Sequence, residues 1–209
     1  MERIEMPATR SNLIGLKDEL AFARESLDLL DQKKEILIRQ VASLTARADR
    51  VRLEVNRCLA EAYDQLKEAM VELGESAVES AGLGLKAEEQ LSIRERSLMG
   101  VVLPQVSIDL PSFRPGYGLY STGKTIDTTA AAIHRAMEMT GELAEVEVSI
   151  ERLMAELKKT LKRINALAHI YVPSYRTTVK AMEITLEEKE REALFQLKRI
   201  KDRSRLKMG

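Results

Sequence analysis

Between positions 13 and 72 the chain carries an apolar seam at alternating steps of three and four. It opens Leu13, Leu16, Leu20, Ala23, Leu27, and only three of its 18 positions, Lys34, Gln65 and Glu72, are polar. A seam kept in register over about eight heptads is the pattern of a coiled coil. Thr9 or Ser11, just after Pro7, is the expected N-cap, and Gly74 the expected stop. With 1.5 Å of rise per residue, residues 9–74 predict a rod of roughly 100 Å.

A second helical run is expected from Thr125 or Asp127, both plausible caps, to about Arg205. Its apolar positions are Val146, Ile150, Leu153, Leu157, Leu161, Ile164, Ala168, Tyr171, Tyr175, Val179, Met182 and Leu186. Consecutive steps of four around residues 157–161 and 175–179 are stutters, which locally unwind a left-handed supercoil. Pro173 lies inside this run and removes a helical hydrogen bond, a cost of about 3 kcal/mol in an uncompensated interior. A kink or helix break is therefore predicted near residues 169–173.

The intervening residues differ. Seven of the ten glycines lie between Gly74 and Gly123, with three of the five prolines. Residues 76–81 and 86–91 suggest short helices. Residues 99–110, β-branched and interrupted by Pro104, read as a short edge hairpin or two extended segments. Two long helices joined by such a connector bury each other's seams by folding back antiparallel. The expected fold is all-α dominated: a long antiparallel two-helix coiled coil, residues 1–74 and 125–209, with a small connector at 75–124 carrying short helices and a short β-hairpin.

Composition supports helices over a compact core, with aromatics at 4%, charged residues at 32% and no Trp. Basic and acidic residues balance at 33 each, so a dedicated nucleic-acid binder is not expected. No run reaches the roughly 18 apolar residues that span a bilayer, so a soluble cytosolic chain without direct membrane insertion is predicted. The single Cys58 falls on the seam and reads as packing. Charge concentrates at one place: residues 194–209 set Lys198, Arg199, Lys201, Arg203, Arg205 and Lys207 against Asp202 alone.

Catalytic chemistry finds little footing. His134 and His169 lack the i+3 or i+4 partner of a helical metal site. Residues 118–125, GLYSTGKT, formally satisfy the phosphate-loop pattern, yet the preceding PSFRPGYG carries no hydrophobic strand. The segment reads as a connector ending in a helix cap. No catalytic residue, metal or cofactor is expected. A structural coiled-coil adaptor or tether suits a two-helix chain without an active site.

Three segments carry a more specific resemblance. KRINALAHIYVP at 162–173 resembles a run in the D subunits of V/A-type ATPases, where basic residues precede Val/Ile-Asn-Ala-Leu and a helical Ile/Val-Pro. LEEKEREALFQLKRIK at 186–201 is similar to that family's Leu-Glu-Glu, Glu-Arg-Glu, Phe and Leu-Lys-Arg-Ile-Lys signature, and PATRSNLIGLK at 7–17 to its Pro-Thr-Arg, Leu and Leu-Lys pattern. Here Ala8 is inserted between Pro7 and Thr9, and Ala168 stands where an acidic residue is usual. The resemblance covers both helical runs; the connector resembles the family only loosely.

The resemblance implies a non-catalytic central stalk coupling ATP hydrolysis or synthesis to proton or sodium transport, peripheral on the cytoplasmic face of the membrane. Its implied partners are the catalytic and regulatory subunits of the ATPase hexamer, the small F subunit of the central stalk and a membrane-rotor adaptor. Arg10, Lys17, Lys198, Arg199, Lys201, Arg203 and Arg205 are the candidate contacts with the hexamer.

Overall fold

The computed structural model describes residues 4–84, 90–109 and 124–207. In chain order these form helix α1 (Arg10–Leu73), helix α2 (Glu75–Gly84), strands β1 (Gln90–Leu98) and β2 (Val101–Asp109), helix α3 (Lys124–Ala166), a π-helical turn (Leu167–Tyr171) and helix α4 (Val172–Lys207). They divide into two compact units, residues 1–35 with 158–209, and residues 36–157. The fold is all-α with a β-hairpin, as the seam and connector predict.

The α1 boundaries follow local chemistry. Thr9 is the cap: its Oγ1 accepts from the Asn12 backbone N–H at 3.2 Å, satisfying one of the free donors of the first turn. Gly74 closes the helix at φ 85°, a left-handed conformation that suits a residue without Cβ, and its N–H donates to Met70 O at 3.0 Å. Helix α3 starts earlier than expected, at Lys124, so Thr125 and Asp127 lie inside its first turn instead of capping it. The Thr125 hydroxyl donates across to the Glu72 carboxylate.

In the unit of residues 36–157, α1 and α3 run antiparallel. Thr128 Oγ1 reaches Gln65 at 2.9 Å, Glu142 pairs with Arg47 at 2.5 Å, and Leu153 packs against Leu37, so partners on α1 descend as α3 advances. Leu37 and Leu153 are fully buried and share one core with Val101 and Leu103 of β2. In the unit of residues 1–35 and 158–209, Leu16 packs with Val179 and Met182 of α4, joined by Leu13, Tyr175, Ile4 and Ala8. Ile4 donates its N–H to Thr178 Oγ1 at 3.2 Å, and Lys189 Nζ donates to Ala8 O at 3.5 Å. The residues before α1 therefore lie along α4 before the chain turns back.

The connector departs from expectation at two points. A helix over residues 86–91 is overturned where it is described, because Gln90 and Leu91 open β1; residues 85–89 lie outside the described residues. The hairpin is also larger than residues 99–110. It pairs β1 with β2 antiparallel from Leu98↔Val101 to Gln90↔Asp109, around a two-residue turn at Met99 (φ 52°) and Gly100 (φ 80°). Positive φ at both turn positions gives the twist that matches paired strands. The charged Arg94-Glu95-Arg96 stretch hides β1 from a hydrophobic pattern; pairing with β2 overrides it.

The local break expected near residues 169–173 takes the form of a π-helical turn followed directly by α4. The Val172 N–H bonds Leu167 O, five residues back. A proline ring at 173 clashes with the carbonyl four residues earlier in a regular helix, and widening the turn relieves that clash while keeping a donor satisfied. Along the seam Leu161 is 39% exposed and Tyr171 50%, while Thr160 at 0% and Thr178 at 3%, beside the seam residue Val179, are buried. Thr178 Oγ1 donates to Ser174 O at 2.8 Å, the back-bond that lets a threonine sit in a helix interior.

Candidate interaction site

Among the described residues no group of three or more His, Cys, Asp or Glu could hold a metal ion, and no helix is long and apolar enough to cross a membrane. One depression of about 240 Å³ lies beside the buried Cys58, lined by Glu61, Ala131, Ala132 and Arg135. It falls below the roughly 300 Å³ at which ligand pockets begin. Of the formal phosphate-loop motif, residues 118–123 lie outside the described residues, and Thr125 already donates its hydroxyl to Glu72. The histidines stand apart, His134 on α3 and His169 exposed in the π-helical turn.

The unit of residues 1–35 and 158–209 offers a surface instead. Helix α1 begins at Arg10, whose guanidinium meets Glu190 at 2.7 Å, yet α4 continues to Lys207. The last turns of α4 thus outrun α1. Residues 191–201 are all exposed, including Leu194 (67%), Phe195 (66%), Leu197 (63%) and Ile200 (64%). Four large apolar side chains within seven residues, left in water, form the kind of patch that marks a protein–protein contact. Around them stand the exposed Lys198, Arg199, Lys201 and Arg203.

The seven predicted contact residues separate into two groups. Arg10 and Lys17 brace α1 against α4, Arg10 to Glu190 and Lys17 to Glu183 at 2.6 Å. The hydrogen bond to Glu190, reinforced by its charge, raises the Arg10 guanidinium pKa above its ordinary value. Lys198, Arg199, Lys201 and Arg203 lie further along α4, where eight residues from Glu190 to Lys198 amount to about 12 Å of helix. Arg205 is in the last turns of the same helix.

Charge counting singled out the basic residues of this end and passed over the apolar ones. A signal was present: stepping from Leu186 by four and three through Glu190, the pattern reaches Ala193, Leu197 and Ile200, so the seam runs on after α1 has ended. Where α1 starts relative to α4 decides that Leu194, Phe195, Leu197 and Ile200 stay exposed among the described residues.

Tyr175 reports on the packing of this unit. Burial in the Leu16 cluster pushes its phenol pKa up, and the charge of Glu19, the nearby Tyr171 and a hydrogen bond to Glu19 act in the same direction. The ring of Tyr171 stands 6.4 Å away at 34°. A raised folded-state pKa means that the native chain holds this proton more tightly, so the contribution is complete below the unfolded value of about 10 and is lost as pH rises through the folded value. Absorbance titration at 295 nm is expected to show one late-ionising tyrosine that Tyr175→Phe removes, together with part of the alkaline loss of stability.

Comparison with known proteins finds relatives over most of the chain. The family of ATP synthase D subunits matches residues 12–202. The V-type ATP synthase D subunit of Thermotoga neapolitana is 36% identical over 195 residues, covering 93% of this chain and 96% of that one. The A-type ATP synthase D subunit of Pyrococcus abyssi is 35% identical over 96% of this chain and 95% of its own. That of Methanopyrus kandleri is 36% identical over 93% and 84%.

Proposed function

The chain belongs to the family of ATP synthase D subunits, and on that premise we propose that it is the non-catalytic central shaft of a V/A-type rotary ATP synthase. In this reading it couples ATP hydrolysis or synthesis to the movement of protons or sodium ions across a membrane, and sits on the cytoplasmic face through the complex. The observation that carries the reading is the end of α4, a helix that continues beyond its partner with Leu194, Phe195, Leu197 and Ile200 exposed among basic residues. A shaft tip held in the cavity of a hexamer needs such an end. Apolar side chains tolerate sliding past successive subunits because they make no directional bonds, while the surrounding cations add attraction without a fixed pairing.

The hexamer of catalytic and regulatory subunits is the partner at this end. Lys198, Arg199, Lys201, Arg203 and Arg205 are the candidate contacts, and Arg10 and Lys17 support them by holding α1 to α4 through Glu190 and Glu183. The small F subunit of the stalk and the membrane-rotor adaptor are the partners elsewhere on the chain. Helix α1, 64 residues without an internal proline, supplies the stiffness that torque requires. A coiled-coil tether would share the seam but would not need the exposed end of α4.

The test is reconstitution with the catalytic hexamer and the small stalk protein, with a bead fixed to the hairpin through Ser92→Cys in a Cys58→Ser background. ATP-driven rotation in one sense is the expected result. A hexamer that hydrolyses ATP at the same rate with and without the chain, and turns no bead, would refute the shaft.

A further inference from the structure

The two edges of the hairpin are protected unequally. With Leu98 and Val101 flanking the two-residue turn as a hydrogen-bonded pair, alternate pairs along the ladder are non-bonded: Ser97↔Val102, Glu95↔Pro104, Ile93↔Val106 and Leu91↔Ile108. The backbone groups of these residues point away from the opposite strand. On β2 two of them are engaged by α3. Val102 O accepts from Arg152 Nη1 at 2.8 Å, the Val106 N–H donates to Glu145 Oε2 at 2.8 Å, and Pro104 has no N–H to offer. Gly141 of α3 leaves room for this edge to approach, since a Cβ there would meet Ile108 Cδ1 at 2.5 Å.

The β1 edge has no such cover. Leu91, Ile93, Glu95 and Ser97 present their N–H and C=O groups outward, and among the described residues no hydrogen bond reaches them. Every residue from 91 to 97 is exposed. Leu91 and Ile93, exposed at 61% and 60%, lie on one face, and Arg94 and Arg96 on the other. Neither arginine has an ion-pair partner among the described residues. An open strand edge of this kind is a template for another strand.

The geometry points to the outer edge of β1 as a strand-addition site for a partner protein's extended segment, one that alternates acidic with apolar residues. Main-chain bonds to Leu91, Ile93, Glu95 and Ser97 would hold it, with acidic side chains two residues apart over Arg94 and Arg96 and apolar ones over Leu91 and Ile93. Cross-strand charge pairs of opposite sign favour this occupant. The same charges disfavour a second copy of the chain in two central registers: antiparallel self-pairing centred on Arg94 sets it against itself, and centring on Glu95 sets Arg94 against Arg96. Residues 110–123 of this chain contain no acidic residue and two prolines, so they lack the complementary charge.

The test uses the full chain, isotopically labelled, and a nine-residue synthetic peptide alternating Val and Glu. Binding is expected to protect the amides of Leu91, Ile93, Glu95 and Ser97 from hydrogen exchange and leave those of β2 unchanged. Ile93→Pro removes an outward donor without touching the β1–β2 ladder, as Pro104 does on the other strand, and should weaken binding roughly tenfold or more. Retained protection of the Val101 and Leu103 amides certifies that the variant hairpin is folded. Independently, Arg94→Glu with Arg96→Glu should lose the Val/Glu peptide and gain one alternating Val and Lys. No binding at millimolar peptide, equal binding by both variants, outward amides already protected in the free chain, or a concentration-dependent dimer through β1 would each overturn the assignment.

Discussion

Replacing Leu194, Phe195, Leu197 and Ile200 together by glutamine is expected to abolish stable association with the catalytic hexamer while leaving the isolated chain's melting temperature almost unchanged. The separation follows from exposure. These side chains are 63–67% exposed and pack against nothing described in the chain, so removing them costs little internally. Glutamine has nearly the helix propensity of leucine, and surface changes of this kind fall within about 0.5 kcal/mol each. In the assembly the balance reverses. Burying a large apolar side chain is worth about 1.5–3 kcal/mol, and if each of the four contributes only about 1 kcal/mol the affinity falls roughly a thousandfold. Titration of the variant against the hexamer, beside a thermal melt of the free chain, checks both halves. Unchanged affinity would remove the end of α4 from the interface.

The second large effect lies inside the unit of residues 36–157. Leu37→Ala and Leu153→Ala are each expected to destabilise the chain by about 3 kcal/mol, within the roughly 2–5 kcal/mol found when a buried leucine is cut to alanine. Both residues are 0% exposed and meet in the core that also holds Leu103. Because they are in contact, the double variant should lose less than the sum of the two. Leu161→Ala is the control: at 39% exposure it should cost under about 1 kcal/mol, although its place in the heptad pattern gives it the same rank as Leu153. Urea unfolding of the four variants measures these differences, and equal losses at 153 and 161 would contradict the register of α3.

Leu161 shows where sequence reading stops. Steps of three and four identify the residues that could face a partner, but after a stutter two adjacent positions compete for the same place. The antiparallel partner settles the competition: Thr160 is enclosed and Leu161 is turned out. The π-helical turn has a similar origin. Pro173 announced a local disruption, yet whether the chain breaks, bends or widens depends on which rearrangement keeps Tyr175, Val179 and Met182 in contact with Leu16. Strand β1 was hidden for a different reason, since Arg94, Glu95 and Arg96 have little propensity to form a strand until β2 supplies the ladder.

At the candidate site the basic residues were legible because charge is written in composition, and the apolar ones were overlooked because a leucine at a seam position looks buried until its partner is seen to be missing. By itself the sequence determined the long helices, the Thr9 cap, the Gly74 stop and the family, because each depends on local spacing or on a short motif. Tertiary structure alone decided which seam residues are enclosed, which edge of the hairpin is covered and where α4 outlives its partner. Those are questions of which surfaces meet, and burial is a property of two segments together that neither segment carries alone.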